Sequence, residues 1–147
     1  MTNTNSWAVR RLDEVATITM GQSPSSSSYN SQGFGVPFLQ GTPPVVDSMG
    51  AAVPNQWTTE PTRVVTAGTA LMTVRAPVGN LFTTNDSVCL GRGLAGIKAN
   101  DDVSQVYLNY YLQFTKSQLN TLSQGSTFTA INSGDLKGIQ IDLPSFK

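Results

Sequence analysis

Histidine is absent from this chain of 147 residues, cysteine occurs once, and only 12% of the side chains are charged. The lack of histidine excludes Ser-His-Asp and Cys-His catalysis. A single cysteine excludes an internal disulfide and, with no histidine beside it, the common zinc sites. Cys89 stands in the apolar stretch SVCL, where a buried thiol is expected. Lys plus Arg number 9 and Asp plus Glu number 9, so neither sign is in surplus. Tight non-specific binding to nucleic acid usually rests on a basic surplus, which disfavours an autonomous DNA-binding domain. Long hydrophobic runs are missing too, since no window nears the ~18 apolar residues of a membrane span. The opening MTNTNSWAVRRLDEV lacks the apolar core that follows a basic stretch in a secretory signal. A soluble, cytoplasmic protein without a membrane partner is expected.

Hydrophobic residues make up 39% of the chain, enough for one core, and the length suits one domain over residues 1–147. ATITM (16–20), VPFLQ (36–40), RVVTAGTALMTVRA (63–76) and GNLFTT (79–84) read as strands, being rich in Val, Ile, Thr, Phe and Leu and bounded by Gly and Pro. SVCLGRGLAGIKA (87–99) reads as a strand pair or one bulged strand, because Gly91, Gly93 and Gly96 demand special backbone geometry. From residue 101 the period lengthens. Val103, Val106, Tyr107, Tyr110, Tyr111 and Phe114 recur at three- and four-residue steps, which predicts a helix over 101–122 with that face in the core. Asp102 and Gln105 resemble its capping box. In the closing IQIDLP, Ile139, Ile141 and Leu143 share one face of a strand that Pro144 ends. The sum is an α+β domain with short strands, a mixed, mostly antiparallel sheet and one long helix.

Three motifs invite chemistry and lose to plainer readings. GRGLAG (91–96) matches G-x-G-x-x-G, but the following IKAND reads as strand, and about twenty residues on stands Lys116 rather than a ribose-binding acid. TPPV (42–45) lacks both the Asn and the aromatic residue of the amino-methyltransferase signature, and no glycine-rich methyl-donor loop accompanies it. Asp101 and Asp102 are adjacent carboxylates, and acids at a helix start serve the dipole and the cap.

Five segments in order carry a resemblance: RLDEVATITMGQSP behind Trp7, VPFLQGT, AGTALMTVRAPVGNLFTTNDSVCLGRGLAGIKA, YLNYYLQ and QGSTFTAINSGDLKGIQIDLP. Together they resemble a target recognition domain of the DNA specificity subunit of type I restriction-modification systems, from Trp7 to Pro144. RLDEV departs from that family's Leu-Gly-Glu-Val start by having Asp13 for the glycine. The resemblance implies a DNA reader without catalysis of its own, recognising one half of a bipartite target on double-stranded DNA. Modification (methylase) subunits would bind S-adenosylmethionine and methylate adenine, and a restriction subunit would cleave; no cofactor is expected in this chain. Family members continue past this point into a long helix and a second recognition domain. The chain therefore resembles the first such domain, expected to be monomeric in isolation.

GQSPSSSSYNSQGFG (21–35) has two apolar side chains among hydroxyls, amides and glycines. Only about twenty residues precede it, too few for a domain, so a linker is a poor reading. Small hydroxyl and amide side chains suit phosphates and base edges alike. The expected contacts are Gln22, Ser25, Ser26, Ser27, Ser28, Tyr29, Asn30 and Gln32. Arg75 and Arg92, set at turns by flanking Pro and Gly, add the phosphate contacts. The loop is expected to tolerate replacement of residues 25–30. The rival reading is a non-catalytic carbohydrate- or protein-binding β-rich module, which shares the Ser/Thr richness and low charge.

Overall fold

The computed structural model describes residues 7–40, 46–75, 78–114 and 131–144, the side chains of Trp7 and Pro144 excepted. TPPV, the expected helix beyond 114 and the QGSTFTA stretch lie outside the described residues. Among these residues the chain is α+β with mixed, mostly antiparallel sheets, as the sequence predicts. β1 (Trp7–Arg11) and β11 (Gln140–Pro144) form an antiparallel ribbon. A four-stranded sheet has the order β2 (Ala16–Met20), β10 (Leu94–Ala99), β7 (Ala70–Thr73), β8 (Leu81–Phe82), antiparallel throughout. A five-stranded sheet has the order β3 (Tyr29–Asn30), β5 (Trp57–Thr58), β4 (Val36–Leu39), β9 (Val88–Leu90), β6 (Val64–Val65), in which β4 and β9 run parallel.

The four-stranded sheet is buried on both faces, which explains its strand sequences. Along β7, Ala70 and Met72 enter one core while Leu71 enters another, so a period of two leaves no residue for solvent. β10 repeats the pattern, with Ala95 and Ile97 on the first side and Leu94 on the second. The second core lies between this sheet and Leu39, Val65, Val88 and Leu90 of the five-stranded one. A Cβ on Gly96 would stand 2.9 Å from Val65 Cγ1 and 3.1 Å from Leu90 Cδ1, so the bare glycine lets the two sheets approach.

One expected strand is divided between the sheets, and the strand pair expected at 87–99 places one member in each. Residues 63–76 give β6 and β7, parted by a turn at Gly68 with φ +87°. Residues 87–99 give β9 and β10, which are strand neighbours in sequence but belong to different sheets, joined through Gly91, Arg92 and Gly93. Gly93 has φ +91°, the left-handed region that glycine enters freely. The closing strand ends at Pro144, paired with Trp7, as its sequence predicts. Proline at the end of an edge strand forfeits no ladder bond that matters.

The helix differs most from the sequence reading. α2 (Gln105–Phe114) starts after Ser104, whose Oγ accepts the Tyr107 N–H at 3.2 Å while its carbonyl accepts that of Leu108 at 3.0 Å. Gln105 is no capping partner of Asp102. Its side chain ties the helix to β10, accepting from Ala99 N at 2.7 Å and donating to Ile97 O at 3.2 Å. Leu108 and Leu112 are the fully buried residues, whereas Val106, Tyr110 and Phe114 are 64%, 70% and 81% exposed. The predicted core face is therefore turned by part of a turn, with Val103 and Tyr111 half-buried at its border. Tyr107 donates its hydroxyl to the Asp142 carbonyl. Burial, then the neighbouring Tyr111 and Asp142, raise its pKa above the usual tyrosine value and keep it a donor.

Two short helices complete the first core. α1 (Leu12–Val15) buries Leu12 and Val15, and α3 (Ser133–Lys137) buries Leu136. Asn132 caps α3, accepting from Asp135 N at 2.8 Å while the Asp135 carboxylate accepts from Asn132 N at 3.2 Å.

Candidate nucleic-acid interface

Residues 21–35 leave β2 across the seam where the two larger sheets meet. Gly21 N donates to Leu94 O at 2.8 Å and Gln22 N to Leu90 O at 2.9 Å, one carbonyl from each side of the Gly91–Gly93 link. A Cβ on Gly21 would lie 1.9 Å from Gly91 O, so the two backbones touch where no side chain fits. Ser23 Oγ donates to Gln40 Oε1 at 2.7 Å and accepts from Arg92 N at 3.0 Å, tying the segment to β4 and to the same link.

The run of serines is ordered. Ser26–Ser28 form a 3-10 turn, and Ser25, Ser26 and Ser27 are exposed, the first and third with hydroxyls 2.9 Å apart. Ser28, one of the expected contacts, is buried, its hydroxyl donating to Ser25 O at 2.6 Å and pairing with Thr58 Oγ1 at 2.7 Å, so it braces the turn. Tyr29 is half-buried, its hydroxyl donating to Pro24 O at 3.0 Å and its ring 4.8 Å from that of Phe38. Asn30 is half-buried too, and its side chain closes the next turn by accepting from Gln32 N at 3.1 Å and Phe34 N at 3.0 Å and donating to Phe34 O at 2.9 Å. Residues 25–30 therefore cannot be replaced as a block without loosening the loop. Gln32 is exposed, its Oε1 accepting from Ser31 N.

Two arginines are bonded at the other end of the segment, Arg63 by its side chain and Arg92 by its backbone N–H. Gln22 is exposed and its Oε1 accepts from Arg63 Nε at 3.2 Å, while Thr62 donates to the Gln22 carbonyl. Arg92 is exposed beside Ser23. Arg75, also exposed, follows Val74, whose N–H donates to Gly93 O at 2.9 Å, so both arginines flank one hydrogen bond. The structure thus ties Gln22 to Arg63 and Ser23 to Gln40 and the Arg92 backbone, and it sets Arg75 next to the Val74–Gly93 bond. The sequence reading took Arg63 for a strand residue, although Pro61 two places earlier is the same kind of signal that drew attention to Arg75. Among the described residues the single ion pair joins Arg11 to Asp13, outside this cluster.

The surface that results is polar and uncharged over 25–32, with Arg63 and Arg92 tied to the residues where the loop begins. Rigid amides and hydroxyls offer donors and acceptors at fixed spacing, and the guanidinium groups offer anion contacts.

Known proteins give an independent comparison. Residues 4–147 match the family described as Type I restriction modification DNA specificity domain. The chain is 43% identical over 143 residues to "Putative type I restriction enzyme MjaX specificity subunit" of Methanocaldococcus jannaschii, covering 94% of this chain and 33% of the relative. It is 28% identical over 151 residues to the type I restriction enzyme MjaIX specificity subunit of the same organism, covering 95% and 34%. The crystal structure of the HsdS subunit from Thermoanaerobacter tengcongensis superposes with a TM-score of 0.80 at 37% identity, covering 95% of this chain and 34% of that one. A chain from a structure on complex assembly and conformational transition of the type I R-M system gives 0.82 at 38% identity, with the same coverage. The chain spans about a third of the length of these proteins.

Proposed function

The chain belongs to the family of type I restriction modification DNA specificity domains, and from that premise we propose that it reads one half of a bipartite double-stranded DNA target for a restriction-modification complex. The observation that carries the reading is the ordered 21–35 segment, whose polar side chains stand outward while its framework bonds inward. Base edges are recognised by such fixed donors and acceptors, and arginines beside them position the phosphates. The chain itself acts as a non-catalytic reader. Methylase subunits of the complex bind S-adenosylmethionine and transfer the methyl group, and a restriction subunit cleaves. The neutral net charge fits this division, since partner subunits supply much of the phosphate attraction and this domain the discrimination.

The test leaves the framework intact. Replacing Ser25, Ser26, Ser27 and Gln32 with alanine, while keeping Ser28, Tyr29 and Asn30, is expected to preserve the melting temperature. Methylation mapped across a genome should become degenerate in one half-site and stay unchanged in the other, each lost base contact costing about 1 to 3 kcal/mol of discrimination. An unaltered motif at normal rate overturns the assignment of this loop.

A second measurement addresses the arginines. The isolated chain is expected to be a monomer that binds duplex weakly, with a log-log salt slope shallower than about −5. Arg63→Ala and Arg92→Ala should each make the slope of the assembled enzyme shallower by about 0.9 without relaxing the motif, as phosphate contacts do. A relaxed motif with an unchanged slope would make that arginine a base reader instead.

A further inference from the structure

Phe34 is 64% exposed on a segment otherwise built of hydroxyls, amides and glycines. A lone exposed aromatic is ordinary, but this one is held out of the core by construction. Both backbone polar groups of Phe34 are bonded to the Asn30 side chain, N–H to Oδ1 at 3.0 Å and C=O to Nδ2 at 2.9 Å. Glycines on either side adopt φ +91° at Gly33 and +92° at Gly35. A Cβ on Gly35 would stand 2.1 Å from Thr58 O, so this connection presses directly on β5. β3 and β4 lie on opposite sides of β5 and both run antiparallel to it, so residues 31–35 have to cross β5 to join them. Tyr29, five residues earlier, tucks its ring against Phe38 and gives its hydroxyl to Pro24. The two apolar side chains of one loop thus have opposite fates, one structural and one presented.

We propose that Phe34 is a specificity-determining residue that makes the apolar contact of the half-site, against the 5-methyl group of a thymine in the major groove. The inference rests on the reading of residues 21–35 as the DNA-facing segment. Thymine carries the one methyl group on the major-groove edges of the four bases, and Phe34 is the exposed apolar side chain that this hydroxyl- and amide-rich loop can set against it. The surrounding hydrogen bonds fix the backbone from which the ring projects before DNA arrives, which favours contact with a single methyl group. The half-site read by this domain therefore contains at least one thymine, on either strand, that is recognised through its methyl.

The experiment uses a full-length specificity subunit carrying this domain, assembled with its methylase subunits, after methylation mapping has given the target. Each thymine of the half-site is replaced by uracil, which removes the methyl and leaves the base pair. At one position the swap is expected to weaken binding by about fourfold, the worth of one buried methyl. Phe34→Ala should weaken binding to the natural site by at least about tenfold and abolish the response to uracil there. Phe34→Leu should keep most of both, and each variant should melt with the wild type because the ring is exposed. A half-site without thymine, an unchanged affinity for Phe34→Ala, or equal uracil responses in wild type and Phe34→Ala overturns the proposal. If the wild-type enzyme fails to prefer its half-site over a scrambled one while the other half is still read, the assignment of this domain as a reader falls with it.

Discussion

Leu108→Ala and Leu112→Ala are each expected to lower the unfolding free energy by about 2 to 5 kcal/mol, against less than about 0.5 kcal/mol for Phe114→Ala. Both leucines are fully buried, in the core that includes Ala95 and Ile97 of β10 and Ile141 of β11. Truncating either removes its transfer free energy and leaves a cavity in a core closed from several sides. Phe114 is 81% exposed at the end of the described helix, where its ring meets only the edge of Tyr111 among the described aromatic rings. Urea unfolding of the three variants gives the comparison directly. A loss at Phe114 as large as at Leu112 would mean that the aromatic stripe is packed after all.

Gly21→Ala should cost about 3 kcal/mol or more, since overpacking reaches that size when the neighbours cannot move aside. The obstacles to a Cβ here are Gly91 O at 1.9 Å, Gly91 C at 2.7 Å and Leu94 O at 2.9 Å, all backbone. Relief would have to pull apart the hydrogen bonds from Gly21 to Leu94 and from Gln22 to Leu90, the two that seat the start of residues 21–35. Gly33→Ala is the matched control. Nothing lies within 4 Å of its Cβ, so only the positive φ is penalised, by about 1 to 2 kcal/mol. The Gly21 variant should also lose hydrogen-exchange protection at Gln22 N–H, and equal stability in the two variants would show that the seam yields easily.

The strands were legible where one residue pattern decided them. Residues 16–20 appear unchanged as β2, and Val36–Leu39 as β4, because β-branched and aromatic residues there are bracketed by glycine and proline. The division of 63–76 and of 87–99 between two sheets was not legible. Period-two burial on both faces gives an unbroken apolar run, and such a run does not say which sheet it joins. The helix face failed for a related reason. Val106, Leu108, Tyr110, Tyr111, Leu112 and Phe114 surround α2 with apolar side chains, so periodicity offered two stripes, and the aromatic one looked heavier. At the candidate site, composition singled out residues 21–35 but could not separate Ser28, Tyr29 and Asn30, whose bonds turn inward, from Ser25–Ser27, which are exposed. That separation depends on Thr58, Phe38 and Phe34, partners that the order of residues does not reveal.

The framework bonds of residues 21–35 bear on the thermodynamics of association. A loop that orders only on contact gives up conformational entropy at that moment, and its heat-capacity change reports surface buried by its own folding as well as by docking. Here Ser23, Ser28, Tyr29 and Asn30 have already committed the chain to one shape in the free domain. Calorimetry of half-site binding should accordingly show a heat-capacity change accounted for by the contact area alone, with no surplus from loop folding.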